Sequence, residues 1–448
     1  MARTALPPVL AAAALVIPAA APPAVLPAAA AAASGQAGTA RGDDIGSRLK
    51  AVPGLKVVSK KREGGYTDYT LTITQPIDHR NPAKGTFKQR LVLQHRSAKA
   101  PMVMYTGGYG ESGHPSLSEP AAILSANQLS VEHRFFGTSF PERKDWSKLD
   151  IWQEASDEHA IVEALTPVYG GAWIATGGSK GGMTAVYHRR FYPDDLDGVV
   201  AYVAPNDAVN GEDGAYERFF ATVGTPSCRA ALRTAQREAL KRRTRLVPRL
   251  RAYAKRKHFT FGRYLGSADR SFEMSVLDSV WTFWQYFGAE ECGSIPRRSA
   301  SDKAIFDWVG RIQDWSQYTD QGVRPYVGYY YQAARQLGWA SPRFAHLKGL
   351  TRHPGLYQPN SMLPASLRSS YDGAAMRDVD RWVTNEATQM MFVYGGRDPW
   401  SAERFTPEAA DTYVFTATTG NHSTEIATLS SRDRRTATAA LRGWAGLT

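Results

Sequence analysis

The sequence predicts an α/β protein, in which a largely parallel sheet is covered by helices and interrupted by a long helical insertion. Three observations predict it. From residue 101, short apolar runs end in glycine-containing turns and lead into segments of helical spacing: MVMY before GGYGESGHP, 128–131 before EHRFFGTSFP, 173–175 before GGSKGG, and 199–203 before APND. Short runs of this kind are strands buried on both faces, and their alternation with helices implies parallel pairing. The pattern lapses over 206–381, where leucines and aromatic residues recur at helical spacing, and resumes at 390 with MMFVY and at 412 with a last strand.

In chain order, residues 1–33 carry one early positive charge, an Ala/Val/Leu stretch broken by prolines, and then small residues, the pattern of a cleavable export signal. A membrane anchor would need about 20 uninterrupted, strongly apolar residues. Residues 34–48, rich in Ser, Gly, Ala and Asp, are expected to be a flexible mature terminus or short propeptide. No later segment is apolar enough to span a bilayer, so a secreted, extracellular protein without a membrane partner is expected. Residues 49–205 form the first part of the core. Within it 66–74 (YTDYTLTIT) and 87–95 (FKQRLVLQH) alternate with period two, and QPIDHRNPAKG between them supplies turn chemistry, giving an antiparallel opening pair. Residues 150–165 carry helical spacing. Residues 206–381 are the helical cap, and 382–448 complete the core.

Composition fits a folded chain. Hydrophobic residues are 43% and charged residues 21%, with 11 Trp, 21 Tyr and 17 Phe, which excludes a disordered protein. The net charge of +12 raises the question of a polyanion partner. The basic residues concentrate over 229–263, where Leu240, Leu246 and Leu250 recur at helical spacing beneath them, so a solvated helix face is expected and no nucleic-acid partner. Cys228 and Cys292 are the two cysteines; in an exported chain they are expected to pair, and without neighbouring His pairs they do not form a metal site.

Two glycine loops compete for the function. Gly108 to Gly113 spells G-x-G-x-x-G after a strand, with Glu132 further on in the place of a ribose-binding acid, the fingerprint of a dinucleotide site. Against it, His114 and Pro115 stand where a helix should offer free N–H groups to a pyrophosphate, and no cofactor is expected. Gly177-Gly178-Ser179-Lys180-Gly181 fits G-x-S-x-G at a strand-to-helix junction, where a strained turn exposes a nucleophilic serine and Gly177 and Gly181 let strand and helix approach. Asp398 and His422 follow in that order, each on a loop after a strand. Asp398 read alone could be a helix cap before Pro399, and His422 a surface-turn histidine; in sequence with Ser179 they complete a Ser-Asp-His triad. The chain then reads as an α/β-hydrolase core with a largely helical cap inserted between the nucleophile and acid loops. The oxyanion donors are expected to be the backbone N–H of Lys180 and that of Gly108 or Tyr109.

The segments QPIDHRNPAKGTFKQR, VEHRFFGTSFP, GGSKGG and GGRDPWS resemble the exported bacterial prolyl tri/tetrapeptidyl aminopeptidases, and more distantly lysosomal prolyl carboxypeptidase and dipeptidyl peptidase II. The resemblance implies a serine exopeptidase that cuts after proline and releases tripeptides or tetrapeptides from peptide N-termini. Lys180 after the serine and the scarcity of cysteines set this chain apart from the lysosomal branch. An enzyme of this kind needs a carboxylate for the substrate's α-ammonium and flat aromatic walls for proline. Candidates for the first are Glu132, Glu212, Asp213 and Glu217, beside Asp207; candidates for the second are Trp281, Trp284 and Tyr330. Carboxylates in a run are ordinarily solvated and aromatics at helical spacing are ordinarily core, so each has a bland rival. An esterase or lipase using the same triad is the neighbouring reading; a secreted binding protein on a hydrolase core and a flavin- or nucleotide-binding oxidoreductase are readings of other classes. The expected partners are peptides with a free N-terminus, and the expected state is a monomer.

Overall fold

A computed structural model describes residues 45–111 and 113–448. The expected export signal, 1–33, and residues 34–44 lie outside the described residues. Residues 45–48 belong to a helix rather than to a loose terminus: α1 (Ile45–Ala51) buries Leu49 completely against the sheet.

Nine strands form one mixed sheet: β1 (Leu55–Glu63), β2 (Tyr66–Pro76), β3 (Thr86–His95), β4 (Met102–Thr106), β5 (Asn127–Val131), β6 (Trp173–Gly178), β7 (Gly198–Tyr202), β8 (Met390–Gly395) and β9 (Thr412–Ala417). Their order is β1-β2-β3-β5-β4-β6-β7-β8-β9. Pairing is antiparallel from β1 to β5 and parallel from β5 through β4 to β9. The antiparallel β2–β3 pair and the parallel strands that follow match the sequence reading. β1 was not foreseen: LKVVSKKRE buries only Leu55 on an otherwise lysine-rich edge, so no apolar period marks it.

Residues adjacent in a strand serve opposite faces of the sheet. Met104, Ala175, Val199 and Met390 pack with α3 (Ile151–Leu165) and α4 (Lys180–Phe191), after α2 (Glu119–Leu124) in the chain. Val103, Ile174, Val200 and Met391 face the other way, onto Ala121 and Leu124 of α2 and onto the C-terminal helix. Between β7 and β8 run α5 (Gly214–Thr222), α6 (Pro226–Lys241), α7 (Arg243–Lys257), α8 (Ala268–Thr282), α9 (Asp302–Gln313), α10 (Asp320–Val323), α11 (Val327–Gln332) and α12 (Ala374–Asn385); α13 (Ser431–Trp444) closes the chain. The helices before α12 share their own core, in which Leu240, Leu246 and Leu250 are buried beneath the basic stretch. A disulfide joins Cys228 of α6 to Cys292. The expected cap boundary at 381 falls inside α12, whose buried Met376, Val379, Trp382 and Val383 pack with the sheet, so this helix goes with the core.

Among the described residues no helix is long and apolar enough to cross a membrane, and no cluster of three or more His, Cys, Asp or Glu could hold a metal ion.

Candidate active site

Parallel strands send their following loops to one edge of the sheet, so the turns after β4, β6, β8 and β9 gather there. Ser179 is the single residue between β6 and α4 and sits at φ 55°, ψ −125°, a conformation that costs a non-glycine residue about 1–3 kcal/mol. Two backbone hydrogen bonds hold it: its N–H donates to the Tyr202 carbonyl on β7 at 2.8 Å, and its carbonyl accepts from Met183 N–H at 3.0 Å. The half-buried side chain stands at the N-terminus of α4, whose first N–H groups and dipole favour negative charge.

The loop after β4 lies directly on this turn. Thr106 donates its hydroxyl to the Gly181 carbonyl at 2.6 Å, and a Cβ on Gly177 or Gly181 would collide with the Thr106 carbonyl. Gly108, at φ 75°, is so close that a Cβ there would meet Gly181 N and Lys180 Cγ at 2.9 Å. The N–H groups of Gly108 and Tyr109 make no backbone hydrogen bond among the described residues. The G-x-G-x-x-G run therefore does not open a helix as a dinucleotide site requires; α2 begins only at Glu119.

Asp398 and His422 are in contact. His422 Nδ1 lies 2.9 Å from Asp398 Oδ2, and both side chains are fully buried. Asp398 also accepts from the Ser401 hydroxyl at 2.8 Å and from Trp400 N–H at 3.2 Å, which fixes its orientation. With a carboxylate facing Nδ1, the imidazole carries its proton there and leaves the Nε2 lone pair free; Nε2 has no hydrogen-bond partner among the described residues. The extension of α8 holds the histidine from the cap side. His422 N–H donates to the Gln285 carbonyl at 3.0 Å, Asn421 donates to the Tyr286 carbonyl at 3.1 Å, and the Tyr286 ring stands edge-on to the imidazole at 6.0 Å.

An aromatic wall joins the loop after β4 to the loop after β8. Tyr109 packs on Tyr329 at 5.7 Å between ring centroids, Tyr329 on Trp339 at 5.9 Å, Trp339 on Trp400 at 5.9 Å, and Trp400 on Trp281 at 4.6 Å. Tyr330 stands behind it, 6.0 Å from Trp339. Trp284 does not belong to this wall: fully buried, it packs on Phe283 and against Gly224 in the cap core.

The expected carboxylates separate by environment. Glu132 is 1% exposed, and its two oxygens accept from Glu111 N–H and from the N–H and hydroxyl groups of Thr138 and Ser139 at 2.7–3.0 Å. Four of those donors fall on Oε1 and one on Oε2, so the carboxylate braces two loops. Glu217 accepts from Arg343 N–H and Asp213 from Ser341 N–H, each at 2.6 Å, while Glu212 is exposed. Asp213 neighbours Asp207 and Glu403. Burial and these like charges push Asp207 up to about 7 and Glu403 up to about 8. Glu403, five residues past Asp398, escaped the sequence reading because nothing in its own segment marks it; it meets Asp207 only through the fold.

The Lys180 side chain also gains an account. It is 2% exposed and lies over the rings of Tyr109 and Phe136, 5.7 and 5.6 Å from their centroids. Its ammonium is lowered by burial, and the nearby Glu154 and Glu158 oppose that shift. Glu154 in turn lies 2.8 Å from His133 Nε2, and Arg134 grips Asp157 through two bonds of 2.6 and 2.7 Å. His133 and Arg134 belong to the segment VEHRFFGTSFP, and His79 of QPIDH meets Asp157 at 2.7 Å, so the quoted motifs meet in one buried charged layer behind the serine turn.

Residues 39–448 match the model of the family described as PS-10 peptidase S37. The chain is 48% identical over 413 residues to the prolyl tri/tetrapeptidyl aminopeptidase of Streptomyces mobaraensis, covering 91% of this chain and 86% of that protein. It is 30% identical over 156 residues to the lysosomal Pro-X carboxypeptidase of Homo sapiens, covering 30% of this chain and 31% of that protein. Among solved structures, proline iminopeptidase of Mycobacterium smegmatis aligns with a TM-score of 0.39 at 14% identity, covering 84% of this chain and 98% of that one.

Proposed function

The chain belongs to the PS-10 peptidase S37 family and is a serine peptidase, and on that premise we propose that it releases tripeptides or tetrapeptides from peptide N-termini by cleaving after proline, through a Ser179-Asp398-His422 acyl-enzyme mechanism. The observation that carries the reading is the strained Ser179 turn with the Thr106–Tyr109 loop seated on it, together with a buried His422 whose Nδ1 faces Asp398 and whose Nε2 is free.

In this mechanism Ser179 Oγ attacks the carbonyl carbon of the proline residue while His422 Nε2 takes its proton. Asp398 holds the tautomer and stabilises the imidazolium. The negative charge on the carbonyl oxygen is met by the N–H of Lys180 and that of Gly108 or Tyr109. His422 then protonates the leaving amine, and a water, deprotonated by the same nitrogen, releases the acyl peptide. The aromatic wall from Tyr109 to Trp281 supplies flat surface for the proline ring. The disulfide supports an oxidising, extracellular setting.

The test offers purified protein the chromogenic Ala-Ala-Pro-p-nitroanilide, its N-acetylated form and a short-chain ester. The expected result is preferential cleavage of the free-amine peptide, abolished in Ser179→Ala. Equal cleavage of the acetylated peptide would overturn the aminopeptidase reading, and ester turnover alone would favour an esterase.

A further inference from the structure

Asp207 is 6% exposed, and its Oδ2 has no hydrogen-bond partner among the described residues. Its carboxylate packs against Gly338, at φ 82°, where a Cβ would fall 2.6 Å from it. The neighbouring acids are Asp213 and Glu403. No Lys or Arg forms an ion pair with Asp207 or Glu403 among the described residues. Buried carboxylates grouped without a cation are unfavourable, which is why the pair holds its protons so strongly. A bound cation would relieve this.

Independent features point to what the cation is attached to. Tyr216, 1% exposed, places its hydroxyl beside Glu403, where it favours the ionised carboxylate against the larger effect of burial, and the indole N–H groups of Trp281 and Trp339, both buried, lack partners among the described residues. These rings form one surface: Tyr216 packs on Trp281 at 5.4 Å, Trp281 on Trp400 at 4.6 Å and Trp400 on Trp339 at 5.9 Å. The surface thus offers two unused indole donors beside an unused carboxylate oxygen of Asp207. A peptide N-terminus carries the complement of both, an ammonium followed by carbonyl groups.

The acids are also tied to the triad. Asn206 N–H donates to the Glu403 carbonyl at 3.1 Å, and Pro205 bridges Arg404, so the segment after β7 is stitched to the turn that carries Asp398. Glu403 is itself part of that junction and Asp207 lies one residue from it. We propose that Asp207 and Glu403 bind the free α-ammonium of the peptide, with the indole N–H groups of Trp281 and Trp339 directed to its carbonyls. This deepens the proposed function and rests on it: the acids set how many residues fit between the amine and Ser179.

The experiment measures kcat/KM for free and N-acetylated Ala-Ala-Pro-p-nitroanilide with wild type, Asp207→Asn and Glu403→Gln. A ratio taken within one protein is unaffected by how much of it is folded. Wild type is expected to prefer the free amine, and each variant to lower that preference about 30-fold or more, mainly through KM, as loss of a buried charge partner does. Glu403 is half-buried, so E403Q keeps the test readable if D207N fails to fold. Unchanged preference in a folded variant, beside a discriminating wild type, overturns this inference alone; a wild type that does not discriminate overturns the aminopeptidase reading as well.

Discussion

The Thr106 hydroxyl donates to the Gly181 carbonyl at 2.6 Å, while the Thr106 carbonyl occupies the space that a Cβ on Gly181 would need. One residue of the loop after β4 thereby sets the distance between that loop and the serine turn. Gly181→Ala must push the loop away, at an overpacking cost of about 1–3 kcal/mol. The variant is expected to melt at a lower temperature and to lose kcat at least tenfold more than Gly211→Ala, an exchange where nothing lies within 4 Å. Thermal denaturation and steady-state kinetics check this.

Asp398→Asn keeps the size of the side chain and removes the charge that fixes the His422 tautomer. The expected result is kcat lower by about 10⁴ with KM changed little, measured on the free-amine peptide. Loss confined to KM would show that Asp398 acts on binding.

Lys180→Met removes the ammonium facing Glu154 and Glu158. Nζ makes no hydrogen bond or ion pair with either acid, Glu154 keeps His133 at 2.8 Å, and burial already holds Glu158 well above the usual carboxylate range. Replacing this buried, unpaired ammonium with an apolar side chain of similar length is expected to leave stability unchanged or to raise it, by at most about 4 kcal/mol, in urea denaturation.

Asp207 also makes a prediction about pH. Its folded value, about 7, is raised above its ordinary 3.8, chiefly by burial and next by Asp213. The folded state therefore binds the proton more tightly, so this stabilisation is complete below about pH 4 and is lost as pH rises through 7. Asp207→Asn, neutral throughout, should gain stability relative to wild type between pH 5 and pH 8, by at most about 4 kcal/mol. Chemical denaturation of both proteins at the two pH values measures it.

The parts of this site that were legible in the sequence are those whose physical demand is local. The strained turn needs glycines beside Ser179, and buried parallel strands need apolar runs that end where Asp398 and His422 begin. The parts that were not legible depend on contacts between distant segments. Glu132 fitted the spacing of a ribose-binding acid and stood as a candidate amine partner, yet the Thr138–Ser139 loop folds back and places four donors on its Oε1. Trp281 and Trp284 share one helical run, and the turn of that helix sends the first to Trp400 and the second into the cap core. Glu403 needed Asp207, and Lys180 needed Glu154 and Glu158, before either had a meaning.

The central claim is that Ser179 is the nucleophile, and covalent labelling tests it most directly. The protein is treated with a fluorophosphonate until peptidase activity is lost, then digested and analysed by mass spectrometry. The account predicts one phosphonyl group per inactivated chain, on the peptide containing Ser179, and no labelling of Ser179→Ala. Full inactivation with the label on another residue, or undiminished activity with Ser179 labelled, would contradict it.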